Sequence, residues 1–265
     1  MVRTLVISIF VALSIFFGGC AVVPREEGSG FVAAAQSTKA GTDALFDQLS
    51  AAEKHQASIR VKASKPYEFS VLDAYTFATN EDGSSTRSLR AGVSVIGNYA
   101  NLMQSLQDGS RAASTQVQIQ DIAANISVAA GMPELRAAAI GLKPLIDQLL
   151  RAQSQIEARS LVINAAPQVE QLIIALRDAA PAIYKTMVTE NTLSAGVKGT
   201  NYESYKVVAA NYVVLMDKLL ASFRMLLVAY ERPSNTAALR SISENTGELA
   251  ADAKALRSAL GRAQN

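Results

Sequence analysis

The sequence predicts an all-α protein, an elongated multi-helix bundle of about six to eight helices with coiled-coil-like seams. Three observations predict it. First, alanine, the strongest helix former, is abundant, and Leu, Gln, Arg and Lys stand close behind it in propensity. Second, apolar residues recur at spacings of three and four along most of the chain, the period of an amphipathic helix. Third, the breakers between these runs are short and no long linker divides them, so residues 31–263 read as one helical-bundle domain. Apolar residues make up 49% of the chain and charged residues 18%, which excludes wholesale disorder. A chain of 265 residues is long enough to bury a substantial core.

The elements follow in order. Arg3 gives a short positive start, and Leu5–Phe17 is a greasy segment of thirteen residues without a charge. At about 1.5 Å per residue it is too short to cross a hydrocarbon core of roughly 30 Å comfortably, and it fits the apolar region of a secretory signal. Gly18, Gly19 and Cys20 follow. This end resembles the lipobox of bacterial lipoproteins, with Phe17 departing from the aliphatic residue usual at its position. The resemblance implies a signal peptide over residues 1–19, cut before Cys20, and lipid attached to the Cys20 thiol. It implies a membrane partner held through that lipid, and Ala21, where an Asp would favour inner-membrane retention, implies the outer membrane facing the periplasm. Two or more acyl chains anchor stably where one does not. Residues 20–30, with Pro24, two glutamates and a Gly-Ser-Gly end, read as a lipidated tether without a packing face.

Helical runs begin at Phe31. Leu45, Leu49, Ala52 and Ile59 form the first, Leu89, Val93, Ile96 and Met103 the next, then Ile119, Ile122 and Ile126. Leu142, Leu145, Leu149, Ala152 and Ile156 step 3, 4, 3, 4; Pro133 suits the start of that helix, and Pro144 should kink it or mark a restart. Val169, Leu172, Leu176, Ala180, Ile183 and Met187 follow, with Pro167 as the opening and Pro181 as an interruption. Tyr202–Glu231 is the most apolar helix, but Asp217, Lys218 and Arg224 sit in its middle, and each costs about 2.5–3.5 kcal/mol at a bilayer centre. It therefore reads as a central buried helix. Leu239, Ile242, Thr246, Leu249, Ala253, Leu256 and Leu260 make a narrow seam, whose small members Thr246 and Ala253 allow close approach of a neighbour. The words NYANLMQSL at Asn98–Leu106 and NYVVLMDKL at Asn211–Leu219 share NY-x-x-LM-x-x-L. They read as two core faces, from an old duplication or from convergence on one apolar pattern.

Reactive chemistry is not legible. The chain has one cysteine and one histidine, so neither a disulfide framework nor a Cys- or His-based metal site is expected. G-x-S-x-G, the P-loop, G-x-G-x-x-G and Ser-x-x-Lys are all missing. His55 reads as a solvated helix residue. Glu244, Glu248 and Asp252 read as a solvated acidic stripe, as do Asp43 and Asp47. With residues 1–19 and their one cation removed, 24 basic residues face 23 acidic ones, which argues against a nucleic-acid partner.

One stretch stands apart. Pro66–Phe77 (PYEFSVLDAYTF) holds four of the sixteen aromatics, Tyr67, Phe69, Tyr75 and Phe77, at an alternating spacing that suggests an extended segment. It fits either a cap over the bundle end or an exposed contact for a partner; the loop Gly199–Tyr205 is a smaller candidate. The expected function is a membrane-anchored periplasmic lipoprotein with a non-enzymatic binding or scaffolding role in the envelope, without a cofactor, holding an envelope protein partner or self-associating. The alternatives are a bundle that binds a lipid or other apolar ligand, and an exclusion or immunity-type lipoprotein.

Overall fold

The computed structural model describes residues 25–64, 67–107, 112–196, 201–231 and 236–264. Cys20 and the segment expected to be a signal peptide lie outside the described residues. Among the described residues the protein is all-α, and the described connections are turns or short irregular stretches. The helices are α1 (Arg25–Ser64), α2 (Ala74–Phe77), α3 (Ser84–Gln107), α4 (Ala112–Ala129), α5 (Pro133–Leu149), α6 (Gln155–Asp178), α7 (Ala180–Ala195), α8 (Tyr202–Glu231) and α9 (Thr236–Gln264). A 3₁₀ turn at Val71–Asp73 precedes α2.

Four helices form the centre. α1 packs on α3, α3 on α6, α6 on α8, and α8 on α1. Neighbours in this ring run antiparallel: Asp43 of α1 meets Arg90 of α3 while Glu53 meets Thr86, and Phe31 meets Phe223 of α8 while Phe46 meets Tyr212. α9 lies in the groove between α1 and α8, and the α4–α5 hairpin covers the other side against α3 and α6. α7 continues from α6 and packs on α1 and α8.

Most members of the apolar runs are buried as their spacing predicted, with Ile59 and Ile156 as exposed exceptions. Leu45, Leu89, Val169, Leu172 and Leu176 are fully buried, as are Leu249 and Leu256 of the α9 seam. The seam also brings α1 close: a Cβ placed on Gly41 would stand 2.7 Å from the Ala253 Cβ and 3.0 Å from its Cα, so only glycine fits at this crossing. Thr246 of the same seam donates to the Gly30 carbonyl at 3.2 Å.

The repeated NY words are core in both places. Tyr99 and Tyr212 are buried, and both hydroxyls donate to main-chain carbonyls of α6, Tyr99 to Val162 at 2.7 Å and Tyr212 to Leu176 at 2.8 Å. Leu176 lies in the last turn of α6, and its carbonyl also accepts from the Ala179 N–H at 3.3 Å. The two acceptors are fourteen residues apart, about 21 Å along the helix, so the words occupy different levels of the bundle. That placement favours a shared apolar pattern over equivalent halves of a duplication.

Several boundaries differ from expectation. α1 begins at Arg25, inside the stretch read as a tether, although tight packing begins at Phe31 as expected. Pro144 lies inside a continuous α5. The 142–156 run is not one helix, because α5 ends at Leu149 and Ser154 starts α6. The Ser154 hydroxyl accepts from the Glu157 N–H at 3.2 Å, and the Glu157 carboxylate accepts from the Gln153 N–H at 2.9 Å, a reciprocal cap that outweighs the apolar spacing. Pro167 therefore sits within α6 rather than opening it.

Candidate functional site

The aromatic stretch is a tongue at the far end of α1. Tyr67 lies in a turn, residues 68–70 are irregular with Ser70 extended, and the chain then tightens into the 3₁₀ turn and α2. The Asp73 carboxylate accepts from the Ser70 N–H at 3.1 Å, and the Asp73 N–H donates to the Ser70 carbonyl at 3.0 Å, which fixes the change of direction. The expected extended segment gives way to a 3₁₀ turn and a short helix from Val71 onward.

The root of this tongue is tightly held. Lys54 of α1 donates to the Ala78 carbonyl and, at 3.0 Å, to that of Glu81. The Gly83 N–H donates to the Ser50 hydroxyl at 2.9 Å, and the Glu53 carboxylate accepts from both the N–H and the hydroxyl of Thr86. Arg90 of α3 binds Asp82 at 2.8 Å, Asp43 at 3.0 Å and Asp47, with its guanidinium over the Phe46 ring. Asp43 and Asp47 therefore pair with a cation on another helix; Asp47, its side chain 74% exposed, is also solvated as expected, whereas Asp43 is half-buried.

The tip is bare. Tyr67 is 100% exposed, Phe69 71%, Val71 84% and Phe77 40%. Tyr75 lies in α2, and its side chain is outside the described residues. A cap over the bundle end would bury these rings, so the described ones do not form one. The second loop divides differently: Asn201 caps α8 by accepting from the Ser204 N–H at 3.1 Å, Tyr202 is partly exposed, and Tyr205 is core.

The remaining singled-out groups serve as helix-to-helix contacts. Nδ1 of His55 lies 2.7 Å from the Glu190 carboxylate of α7, so this residue joins two helices rather than facing water alone. Ser194 also addresses the same Glu190 oxygen, at 3.2 Å. A serine and a histidine that share one carboxylate lack the direct hydroxyl–imidazole bond of an activated nucleophile. The three central charges of α8 are paired: Asp217 with Arg177 of α6, Lys218 with Glu248 and Asp252 of α9, and Arg224 with Glu170 of α6. Hydrogen bonds donated by the Lys218 ammonium to Asp252 and Glu248 hold its pKa above the usual lysine range. Two members of the acidic stripe are thus interhelical partners, and Glu244 alone of the three is exposed without that role. No described helix is long and apolar enough to cross a membrane.

No cluster of three or more His, Cys, Asp or Glu side chains able to hold a metal occurs among the described residues. A surface groove of about 640 Å³ runs between α7 and α8, lined by Ala180, Pro181, Tyr184, Ala209 and Val213. Its flanking cations are engaged, Arg177 with Asp178 and Asp217, Lys206 with Glu203.

With this geometry in view, no family model, curated protein or solved structure matches the chain.

Proposed function

We propose that the protein is a lipid-anchored bacterial envelope protein, facing the periplasm from the outer membrane, with a non-enzymatic binding or scaffolding role. The tongue at Tyr67–Phe77 is its partner contact. The observation that carries this reading is the contrast within one segment: a root fastened by Lys54, Ser50, Glu53 and Arg90, and a tip with Tyr67, Phe69 and Val71 open to solvent. A contact site gains from such preorganisation, because its backbone need not be ordered on binding. Aromatic side chains are the usual anchors of such sites.

The anchor and the contact are tested separately. Replacement of Cys20 by Ser should release the protein from the membrane fraction, and unchanged retention would overturn the anchor. A photo-crosslinker at position 67 should trap an envelope protein in intact cells, and the adduct should vanish when Phe69 and Phe77 become Ala. No adduct at 67, with adducts at positions elsewhere on the bundle, would remove the tongue from the reading.

A second reading, a bundle that binds an apolar ligand, is favoured by the groove between α7 and α8. Native mass spectrometry of the purified protein should then show added mass that disappears in Ala209→Trp; a bare-chain mass under gentle conditions counts against it.

A further inference from the structure

At the end of the bundle opposite the tongue, the packing leaves an apolar rim that the helical spacing does not account for. Phe31, Tyr99, Val162 and Phe223, one from each central helix, meet in one layer: the Phe31 and Phe223 rings are 5.4 Å apart, those of Tyr99 and Phe223 are 6.0 Å apart, and Tyr99 bonds to Val162. α1 and α6 run parallel through this layer. Six residues before it on α1 stands Arg25, the first residue of the helix; six before it on α6 stands Ile156. Both lie about 9 Å below the layer. Ser105 of α3 is six residues beyond Tyr99 and accepts from Gln118 of α4, which places Val117 at the same depth. Val228 of α8, five residues past Phe223, and Leu150 in the α5–α6 turn complete the end.

Four apolar side chains at this level are open to solvent: Ile156 is 84% exposed, Val117 57%, and Leu150 and Val228 43% each. They come from four parts of the chain and share one end. α1 begins at that end, only five residues after Cys20. Whatever fixes Cys20 to a membrane therefore fixes this rim beside it, since five residues span at most about 18 Å even when fully extended.

We propose that this end of the bundle rests on the lipid surface, with Ile156 and Leu150 inserted at the headgroup boundary and α1 standing away from the bilayer. The inference rests on the lipid-anchor reading and adds an orientation to it. The proposed insertion is carried by the apolar side chains; among the described charges, Arg151 and Glu244 of α9 are both exposed and opposite in sign. An exposed aliphatic side chain gains by leaving water in proportion to the area it buries. A standing α1 of 40 residues carries the tongue about 60 Å from the surface.

The test uses the full lipidated chain in phosphatidylethanolamine–phosphatidylglycerol vesicles. With Cys20 blocked by lipid, the protein has no other thiol, so Ile156→Cys, Val117→Cys and Tyr67→Cys each accept a single polarity-sensitive fluorophore. Labels at 156 and 117 should shift to the blue and lose emission when the lipids carry shallow quenchers, whereas the label at 67 should do neither. If the protein floats with the vesicles but the labels at 156 and 117 remain in water, the orientation is wrong and the anchor stands. Quenching at all three positions means a bundle lying on its side and overturns the inference. If the protein does not float with the vesicles, the anchor reading fails, and this inference falls with it.

Discussion

The two ends of α1 treat aromatic side chains in opposite ways. At Phe31 the ring is fully buried in a layer shared by four helices. At Tyr67, just past the other end, the ring is fully exposed. Residue type does not explain the difference, because Tyr and Phe occur in both places. Spacing and partners do. Phe31, Tyr99, Tyr212 and Phe223 sit on helix faces that neighbours cover, and the two tyrosines find acceptors on α6 for their hydroxyls. Tyr67 and Phe69 sit on irregular chain past the end of α1, where no described neighbour covers their rings. One end spends its aromatics on cohesion, and the other leaves them available for contact.

The largest test of this contrast is Phe223→Ala. Its ring touches both Phe31 and Tyr99, and truncation of a fully buried phenylalanine costs about 3–5 kcal/mol through lost transfer energy and the cavity left behind. Urea unfolding should show that loss, and a cost below about 1 kcal/mol would mean the layer is loosely packed. Next comes Gly41→Ala. Alanine is favoured over glycine in a helix by about 1 kcal/mol, yet the new methyl would meet the Ala253 backbone, which cannot move aside without shifting α9. The clash should win, with a net loss of roughly 1–3 kcal/mol.

Smaller and conditional is the effect of alkaline pH. Burial pushes the Tyr212 phenol well above its usual range, and burial followed by the Glu190 charge also raises that of Tyr205. A raised folded pKa means that the stabilisation is fully present below the unfolded value of about 10 and is lost as pH rises through the folded value. Stability should thus fall by up to about 1.4 kcal/mol per pH unit above pH 10 on account of Tyr212. Circular dichroism gives the unfolding and tyrosinate absorbance the titration, undisturbed because the chain lacks tryptophan. Tyr212→Phe should make the decline shallower; an unchanged slope would remove Tyr212 as its source.

The helical content was legible because a 3.6-residue period survives in the sequence wherever one face is buried, and the α9 seam is the clearest case. The break between α5 and α6 was legible in a second signal, the S-x-x-E of Ser154–Glu157, which the apolar spacing through Ile156 masked. The ion pairs were not legible. Arg90 lies 43 and 47 residues from Asp47 and Asp43, and nothing local says which cation a helix-surface carboxylate will meet. For the tongue, the crowding and the alternation of aromatics were visible, but whether they covered the bundle end or left it depended on how Lys54 and Arg90 hold the root. The rim at Ile156 was hidden altogether, since in one dimension that residue completes a buried run.

The smallest expected stability change is also the most informative. Tyr67→Ala with Phe69→Ala removes two aromatic rings, a change that would cost several kcal/mol in the core. On the tongue it should shift unfolding by no more than about 0.5 kcal/mol, because exposed side chains away from packed features contribute little to folding. The backbone bonds at the root, from Lys54 to Glu81 and from Gly83 to Ser50, do not involve either ring and should persist. A loss above about 1 kcal/mol would mean that the rings pack against the bundle in solution, which restores the cap and removes the contact. Unchanged stability with loss of the adduct formed at a neighbouring tongue position would separate folding from recognition: the same pair of rings would then matter to a partner and not to the fold.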